Sequence, residues 1–473
     1  MSGKRPLVVD LDGTLSATDT LLELMAHFVG QWPRNILALL VLFTKDRPTV
    51  KATLASRAPI DAGLLPFNAD VVEMIHQAKE NSRPVVLATG SDARMAHAVA
   101  DHWGFFDEVL SSSPGINLTS TTKAKALVER FGDKGFDYVG NDRADIAVIQ
   151  HAHNGFLVTP SASLLKRAQA TGTPVSAVGS KRSVWPSLFR ALRPHQWAKN
   201  GLLVIPALAA QLALPEFALN VFVGIVLFSV MSSSAYLVND VLDIQHDRAH
   251  KTKKNRPFAR GTVSVKHAVV VAPVMAAFSL VGSWWYFGSG FTVVLAVYAI
   301  ATLAYSTRLK RVALVDVFVL AALYGVRILA GAVAVSVPLS PWLITFSLFA
   351  FLSLALAKRF TELTSHDNGP ATGVRGRGYV ATDSALVAIF GVTSGFIAGV
   401  ILALYVDDGA TSSLYGTPEV LWGVVPIWLY WISRTWLLAH RGTMNDDPVL
   451  YALTDRVSYV VGAALVVTLF LAR

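Results

Sequence analysis

The chain has no cysteine among its 473 residues. That excludes a disulfide-stapled fold, a thiolate zinc centre and a cysteine nucleophile. Charge is scarce too: Asp, Glu, Lys and Arg together supply 15% of the residues, against 53% hydrophobic. Soluble domains run near ~25% charged, so an ordinary soluble enzyme and a disordered chain are both excluded. What the sequence has instead is long apolar runs and a mean hydropathy of +0.47. The chain reads as a membrane protein, long enough for two to four domains.

The apolar character is uneven. Residues 1–175 read as a soluble α/β domain. Short apolar runs (Leu7 to Val9, Val85 to Ala88, Phe156 to Val158) alternate with charge-bearing helical stretches such as Asp92 to Trp103 and Lys123 to Phe131. Such alternation predicts a Rossmann-like parallel sheet covered on both faces. Lys4 and Arg5 lead straight into the first strand without a secretory leader pattern, so this half is expected to stay on the side where it is made. Residues 176–199 read as a linker, beginning within Gly172 to Ser183, followed by an interfacial helix carrying Trp185, Leu188, Phe189 and Leu192 at helical spacing.

Residues 200–473 read as an all-α membrane domain. Nine apolar segments are predicted, near 201–214, 217–238, 267–287, 290–306, 313–335, 341–357, 384–405, 419–440 and 456–472. Arg248, Lys251, Lys253, Lys254, Arg256, Arg260, Lys266, Arg308, Lys310, Arg311, Lys358, Arg359, Arg375, Arg377 and Arg441 fall in alternate connections, and only Asp407 and Asp408 in the others. By the positive-inside rule the soluble domain and the polar motifs share the cytoplasmic face of the inner membrane. The net charge of +9 therefore reports topology and phosphate chemistry, and no nucleic-acid partner is expected. One stretch in the soluble half, Asn35 to Phe43, is strongly apolar but too short to span. A buried cap helix is the expectation, and a membrane-touching face the alternative.

Asp10-Leu11-Asp12-Gly13-Thr14 closes the first strand, placing two carboxylates at the carboxyl edge of a parallel sheet, where such sheets put their sites. The motif resembles that of the haloacid dehalogenase superfamily of phosphatases. The resemblance implies Asp10 as nucleophile, Asp12 as general acid and base, Thr89 and Lys123 as phosphoryl-binding groups, and a helical cap between Leu15 and Arg83. It also implies Mg²⁺ held by Asp10, Asp12 and an acidic motif in Gly140 to Asp145. There Asn141 replaces the usual aspartate, leaving Asp142 or Asp145 as the metal ligand.

Asp240, Asp243 and Asp247 recur at i, i+3 and i+7 at the end of the second apolar segment, so all three carboxylates are expected on one helical face. Three anions on one face call for a divalent cation, and oxygen-rich sites select Mg²⁺. Lys253, Lys254, Arg256 and Arg260 follow as phosphate partners. NDVLDIQHD with KKNRPFARG resembles the first signature of the UbiA superfamily of intramembrane prenyltransferases, in which Mg²⁺ and a donor diphosphate occupy an aspartate-rich loop. Lys358 to Leu363 (KRFTEL), with Asp367 following, stands where a second aspartate-rich motif is usual. With LRPHQWAKN (192–200) and DPVLYALTDR (447–456), it resembles the branch that makes decaprenyl-phosphoryl phosphoribose. That resemblance implies phosphoribosyl diphosphate as donor, a polyprenyl phosphate as acceptor, and Asn239, Lys254, Arg256, Lys310, Lys358, Arg359 and Glu362 as substrate-binding residues.

Arg327 and Arg434, inside apolar segments, are expected to have partners, structural pairing and phosphate binding both being open. For Tyr305, Lys310 and Asp316 a structural and a catalytic role are both open. The two halves together suggest a bifunctional enzyme that makes a polyprenyl-phosphoryl phosphoribose and removes its 5-phosphate. The alternatives are an aromatic or quinone-type prenyltransferase using a polyprenyl diphosphate, with a phosphatase of other substrate, or a non-catalytic regulatory soluble module. A transporter fits less well, because its charges would lie mid-bilayer.

Overall fold

The computed structural model describes residues 4–32, 34–113, 115–179, 183–364, 378–409, 415–444, 448–452 and 454–472. Asp367, Arg375, Arg377 and Asp447 lie outside the described residues. The chain divides into two compact units, 1–191 with 237–270, and 192–236 with 271–473.

In the first unit, six parallel strands form one sheet: β1 (Leu7–Val9), β2 (Val85–Asp92), β3 (Glu108–Ser112), β4 (Asp137–Gly140), β5 (Gly155–Val158) and β6 (Val175–Val178), in the order β3-β2-β1-β4-β5-β6. Alternate residues feed two cores, as the two-residue period of a strand requires. Leu7, Val9, Val85 and Leu87 pack into one, Val8, Val86 and Ala88 into the other. The strand β6 occupies the stretch read as linker. It is a four-residue edge strand with half-open side chains, too short for a periodic signal.

Between β1 and β2 lie the helices α1 (Thr20–Gln31), α2 (Asn35–Leu42), α3 (Arg47–Arg57) and α4 (Ala69–Glu80), where a helical cap was expected. Asp19, Asp46 and Asn68 cap α1, α3 and α4 by accepting from backbone N–H groups of the first turn. The expectation of a buried α2 is overturned, since none of its residues is buried. The stretch read as an interfacial helix forms a helix over Trp185–Ala191, with Leu188 buried and Trp185 and Phe189 exposed.

Among the described residues six helices, not nine, are long and apolar enough to cross a membrane: Leu214–Leu242, Val265–Phe287, Ser289–Thr307, Val315–Ala334, Pro341–Thr364 and Ala381–Asp407. The segment read at 201–214 is broken into a 3₁₀ stretch, Pro194–Val204, and a five-residue helix, Ile205–Ala209, because Pro206 lacks the N–H that a continuous helix would use. Those at 419–440 and 456–472 contain helices of 17 residues, Val424–His440 and Arg456–Ala472. Lys358 and Arg359, read as part of a connection, lie inside the helix Pro341–Thr364.

The second unit packs by close helix approach. Gly391, Gly395 and Gly399 recur every four residues, and a Cβ on them would meet Trp436, Ile432 and Leu429 respectively. The Trp428 indole donates to the Gly395 carbonyl (2.9 Å), and Ser353 joins the Trp436 indole to the Gly391 carbonyl.

Candidate active sites

The first site forms where β1 ends. Gly13 takes φ +73°, and a side chain there would run into the Asn141 amide. The loop thus brings Asp10, Asp12 and Asn141 together. Lys123 Nζ donates to Asp10 Oδ1 at 2.7 Å and to the Tyr138 hydroxyl at 3.1 Å. Burial pushes the Asp10 carboxyl up to about 7, against the pull of Lys123; Asp145 and Asp12 push the same way. Lys123 stays cationic, its pKa raised by Asp10 and Asp145 in spite of burial.

Asp12 accepts from the Thr20 amide (2.7 Å) and the Ser91 hydroxyl (2.6 Å), so its carboxylate is oriented by the start of the cap. Thr89 is fully buried, and its hydroxyl accepts from the Ser91 amide at 3.0 Å. Both Asp145 oxygens are engaged, one by the Tyr138 hydroxyl (2.6 Å), the other by the Asn141 and Asp142 amides (2.8 and 2.9 Å). Asp142 is exposed and accepts from the Arg143 amide. The Asn141 amide turns its nitrogen toward Gly13, while its oxygen and Asp10 Oδ2 converge on the Thr14 hydroxyl, which stands 3.2 and 3.5 Å from them. Asp10 and the Asn141 amide present hard oxygen donors of the kind Mg²⁺ takes.

Sequence reasoning missed three residues here. Ser91 orients Asp12, and Tyr138 bridges Lys123 to Asp145. Lys51 on α3 donates to the Gly90 carbonyl and to Asn117 Oδ1. Burial lowers its pKa, while Asp12 and Asp19 raise it. A cationic cap residue facing a motif of carboxylates would hold substrate anions, but nothing in its sequence neighbourhood signals that.

The second site gathers at the end of the helix Leu214–Leu242. The three aspartates do not share one uninterrupted helix: Asp243 leaves helical geometry (φ −100°, ψ 7°) and a short helix, Ile244–Arg248, follows. The Arg256 guanidinium nonetheless joins two of them, its Nη1 standing 3.4 Å from Asp240 Oδ1 and 2.7 Å from Asp247 Oδ2. Asp240 and Asp247 are 1% and 4% exposed. Burial pushes Asp247 up to about 6 against the pull of Arg256, with Asp240 and Asp243 adding to the rise. The mutual push of Asp240, Asp243 and Asp247 marks an acidic cluster, which suits a hard divalent cation. Among the described residues no three carboxylate or imidazole groups already form a metal cluster. Mg²⁺ commonly binds through one or two carboxylates, completed by substrate phosphates and water, and this site fits that mode.

In the second unit the remaining motif residues form structural pairs. Arg359, fully buried, pairs with Asp316 at 2.5 Å and with Glu362, and Tyr379 donates to Asp316 Oδ1 at 2.7 Å. Lys310 is buried, whereas Lys358 is half-buried. Arg327 donates to Asn200 Oδ1, the Leu323 carbonyl and the Tyr298 hydroxyl at 2.7–3.1 Å, so its guanidinium is committed to the fold. Arg434 makes a two-pronged pair with Asp455 of the 447–456 motif. Both intramembrane arginines thus have the partners expected of them.

A helical membrane bundle with an arginine-bridged aspartate cluster, joined to a Rossmann-like domain with a strand-end Asp-x-Asp pair, is the architecture of a membrane transferase carrying a phosphohydrolase-type domain. Residues 202–457 match the model of the UbiA prenyltransferase family and residues 7–148 that of haloacid dehalogenase-like hydrolases. The chain belongs to the UbiA prenyltransferase family, and is an integral membrane enzyme with a haloacid dehalogenase-like domain. An uncharacterized protein, y4nM, of Sinorhizobium fredii is 35% identical over 98% of this chain and 90% of its own length. Nodulation protein NoeC of Azorhizobium caulinodans is 36% identical over 57% of this chain and 88% of its own. The decaprenyl-phosphate phosphoribosyltransferase of Mycobacterium tuberculosis is 32% identical over 59% of this chain and 92% of its own.

Proposed function

We propose that the membrane domain transfers 5-phosphoribose from phosphoribosyl diphosphate to a polyprenyl phosphate, and that the soluble domain then removes the 5-phosphate. The observation that carries the reading is the Asp240–Arg256–Asp247 cluster together with its relatives named for that transfer. A phosphate oxygen of the lipid attacks the anomeric carbon, the bond to the diphosphate breaks, and pyrophosphate leaves.

Asp240, Asp243 and Asp247 would hold Mg²⁺, which supplies charge neutralisation for the departing diphosphate. Arg256, already bonded to two of these carboxylates, and Lys254 bind its oxygens, and Asn239 borders the same helix end. Lys310 and Lys358 are assigned to the further phosphates. Arg359 and Glu362 act through their ion pair with Asp316, as positioning residues.

In the soluble domain Asp10 attacks the 5-phosphate and forms an acyl phosphate while the ribose oxygen leaves. Asp12, held by Thr20 and Ser91, protonates that oxygen and then takes a proton from the water that hydrolyses the acyl phosphate. Lys123 offsets the phosphoryl charge, and Thr89 holds Ser91 in place. Mg²⁺ at Asp10 and Asn141 would neutralise the same charge. The Lys and Arg distribution supports a cytoplasmic location for both sites under the positive-inside rule, in our reading at an inner membrane.

The test is incubation of purified protein with polyprenyl phosphate, Mg²⁺ and ribose-labelled phosphoribosyl diphosphate. Label is expected in the lipid, with loss in Asp240→Asn and Asp247→Asn. Lipid that stays unlabelled, with pyrophosphate released only when an aromatic acceptor and a polyprenyl diphosphate are supplied, would establish the aromatic prenyltransferase instead.

A further inference from the structure

Exposed apolar surface in the soluble half is concentrated in one place. Of the seven large hydrophobic residues exposed between residues 4 and 179, six fall between residues 32 and 43: Trp32, Ile36, Leu37, Leu40, Val41 and Phe43; the seventh is Ile116. They border or belong to α2. Its Ala38, Leu39 and Leu42 pack on the core of the sheet, so the helix is seated and its outer face is left apolar. Leu37, Leu40 and Val41 on that face are 68%, 61% and 65% exposed. An apolar face of this size on a monomeric soluble surface marks an interaction site.

What covers it follows from where α2 hangs. The preceding helix, α1, is anchored to the ends of two membrane spans. Gly30, near its C-terminus, lies against the carbonyl of Leu242, the last residue of the span Leu214–Leu242. At the other end Asp19, the cap of α1, stands 3.8 Å from Lys266, in the first turn of the span Val265–Phe287. Gly261 also packs closely on Ala17, Thr18 and Pro66. Between these anchors Arg248 donates to both oxygens of Glu23 at 2.7 and 2.6 Å. The helix thus lies along the loop that joins two spans, and α2 begins four residues after it ends. The rim suits a bilayer as well. Arg34 stacks over Trp32 (5.3 Å) at one end, Lys45 and Arg47 follow the other, and Asp46 is the single carboxylate in 32–47. Aromatic and cationic groups bordering an apolar face are the pattern of a helix lying in a membrane interface.

We propose that α2 rests in the bilayer surface, with Ile36, Leu37, Leu40 and Val41 among the lipid chains and Arg34, Lys45 and Arg47 against anionic headgroups. Because α2 belongs to the cap over Asp10 and Asp12, this contact offers the phosphatase site a phosphate ester that stays in the membrane. That consequence rests on the phosphatase reading; the lipid contact itself does not.

The absence of cysteine makes the test clean. Full-length Leu40→Cys, carrying an environment-sensitive fluorophore, is reconstituted in vesicles of phosphatidylethanolamine and phosphatidylglycerol, with the exposed Lys166→Cys as control. Blue-shifted emission at position 40, quenched by acyl-chain doxyl lipid while position 166 is untouched, is the expected result. Water-like, unquenched emission at 40 would overturn the proposal. So would self-quenching that disappears on dilution with unlabelled protein, since a second copy would then cover the face. In Leu37→Asp/Leu40→Asp, hydrolysis of soluble p-nitrophenyl phosphate should persist while hydrolysis of the vesicle-borne phosphoribosyl lipid falls several-fold; equal loss on both would overturn the delivery role. A wild-type protein that hydrolyses neither would refute the phosphatase reading, and the quenching result would still decide the lipid contact.

Discussion

Removing the carboxylate of Glu23 should destabilise the protein strongly. Glu23 is 2% exposed and Arg248 8%. Two guanidinium nitrogens donate to the two Glu23 oxygens, and Nε is held by the Ala259 carbonyl at 2.9 Å. In Glu23→Ala the guanidinium keeps the Ala259 bond and loses two charge-assisted ones, at about 1.5–3 kcal/mol each. The sum agrees with the roughly 3–5 kcal/mol typical of breaking a buried pair from one side. At about 2–4 °C per kcal/mol for a unit of this size, the melting temperature should fall by roughly 6–20 °C. Because Arg248 adjoins Asp247, the affinity for the diphosphate donor should fall as well. The assay is thermal unfolding of the detergent-solubilised full chain, followed by intrinsic fluorescence, with Glu23→Leu/Arg248→Met alongside. Replacing both partners removes the stranded charge, so the double variant should recover most of the loss. A Glu23→Ala protein that melts within about 2 °C of wild type would refute the reasoning.

Three further outcomes are expected. Burial raises Asp10 from the ordinary 3.8 to about 7, so the folded state holds the proton more tightly than the unfolded one. Its stabilising contribution is complete below about 4 and is lost as pH rises through about 7; without divalent cations Asp10→Asn should flatten that part of the melting-temperature profile. Gly13→Ala puts a side chain at positive φ and against Asn141, costing roughly 1–2 kcal/mol for the backbone alone and lowering hydrolysis of soluble phosphate esters, read by phosphate release. Arg327→Leu leaves the Asn200, Tyr298 and Leu323 acceptors without their donor and should cost about 2–4 kcal/mol in unfolding experiments, with Arg327→Lys recovering little because one ammonium cannot reproduce the fork.

Where the chemistry depends on short, ordered motifs, the sequence was legible. Asp10 and Asp12 at the end of an apolar strand, and Asp240 and Asp247 followed by Arg256, are local patterns that the fold preserves. Alternating runs announced the parallel sheet for the same reason. What escaped depends on distance or on length. Arg359 and Asp316 are far apart in the chain, and nothing near either names the other. Glu23 lies on an ordinary amphipathic helix, and its partner is more than two hundred residues away. The edge strand β6 is too short to carry a period. Hydropathy counted nine spans because it registers apolar content without seeing Pro206 interrupt one segment or the helices Val424–His440 and Arg456–Ala472 stop at 17 residues. It also read α2 as core, because an apolar residue facing lipid and one facing a protein interior look alike in sequence.

The most direct test of the two-step account compares wild type with Asp10→Asn, each given Mg²⁺, polyprenyl phosphate and ribose-labelled phosphoribosyl diphosphate, with lipid products resolved by mass. The account expects a phosphate-free ribosyl lipid from wild type and accumulation of the phosphorylated form in the variant. Identical phosphorylated lipid from both proteins, or no ribosyl lipid from either, would contradict it.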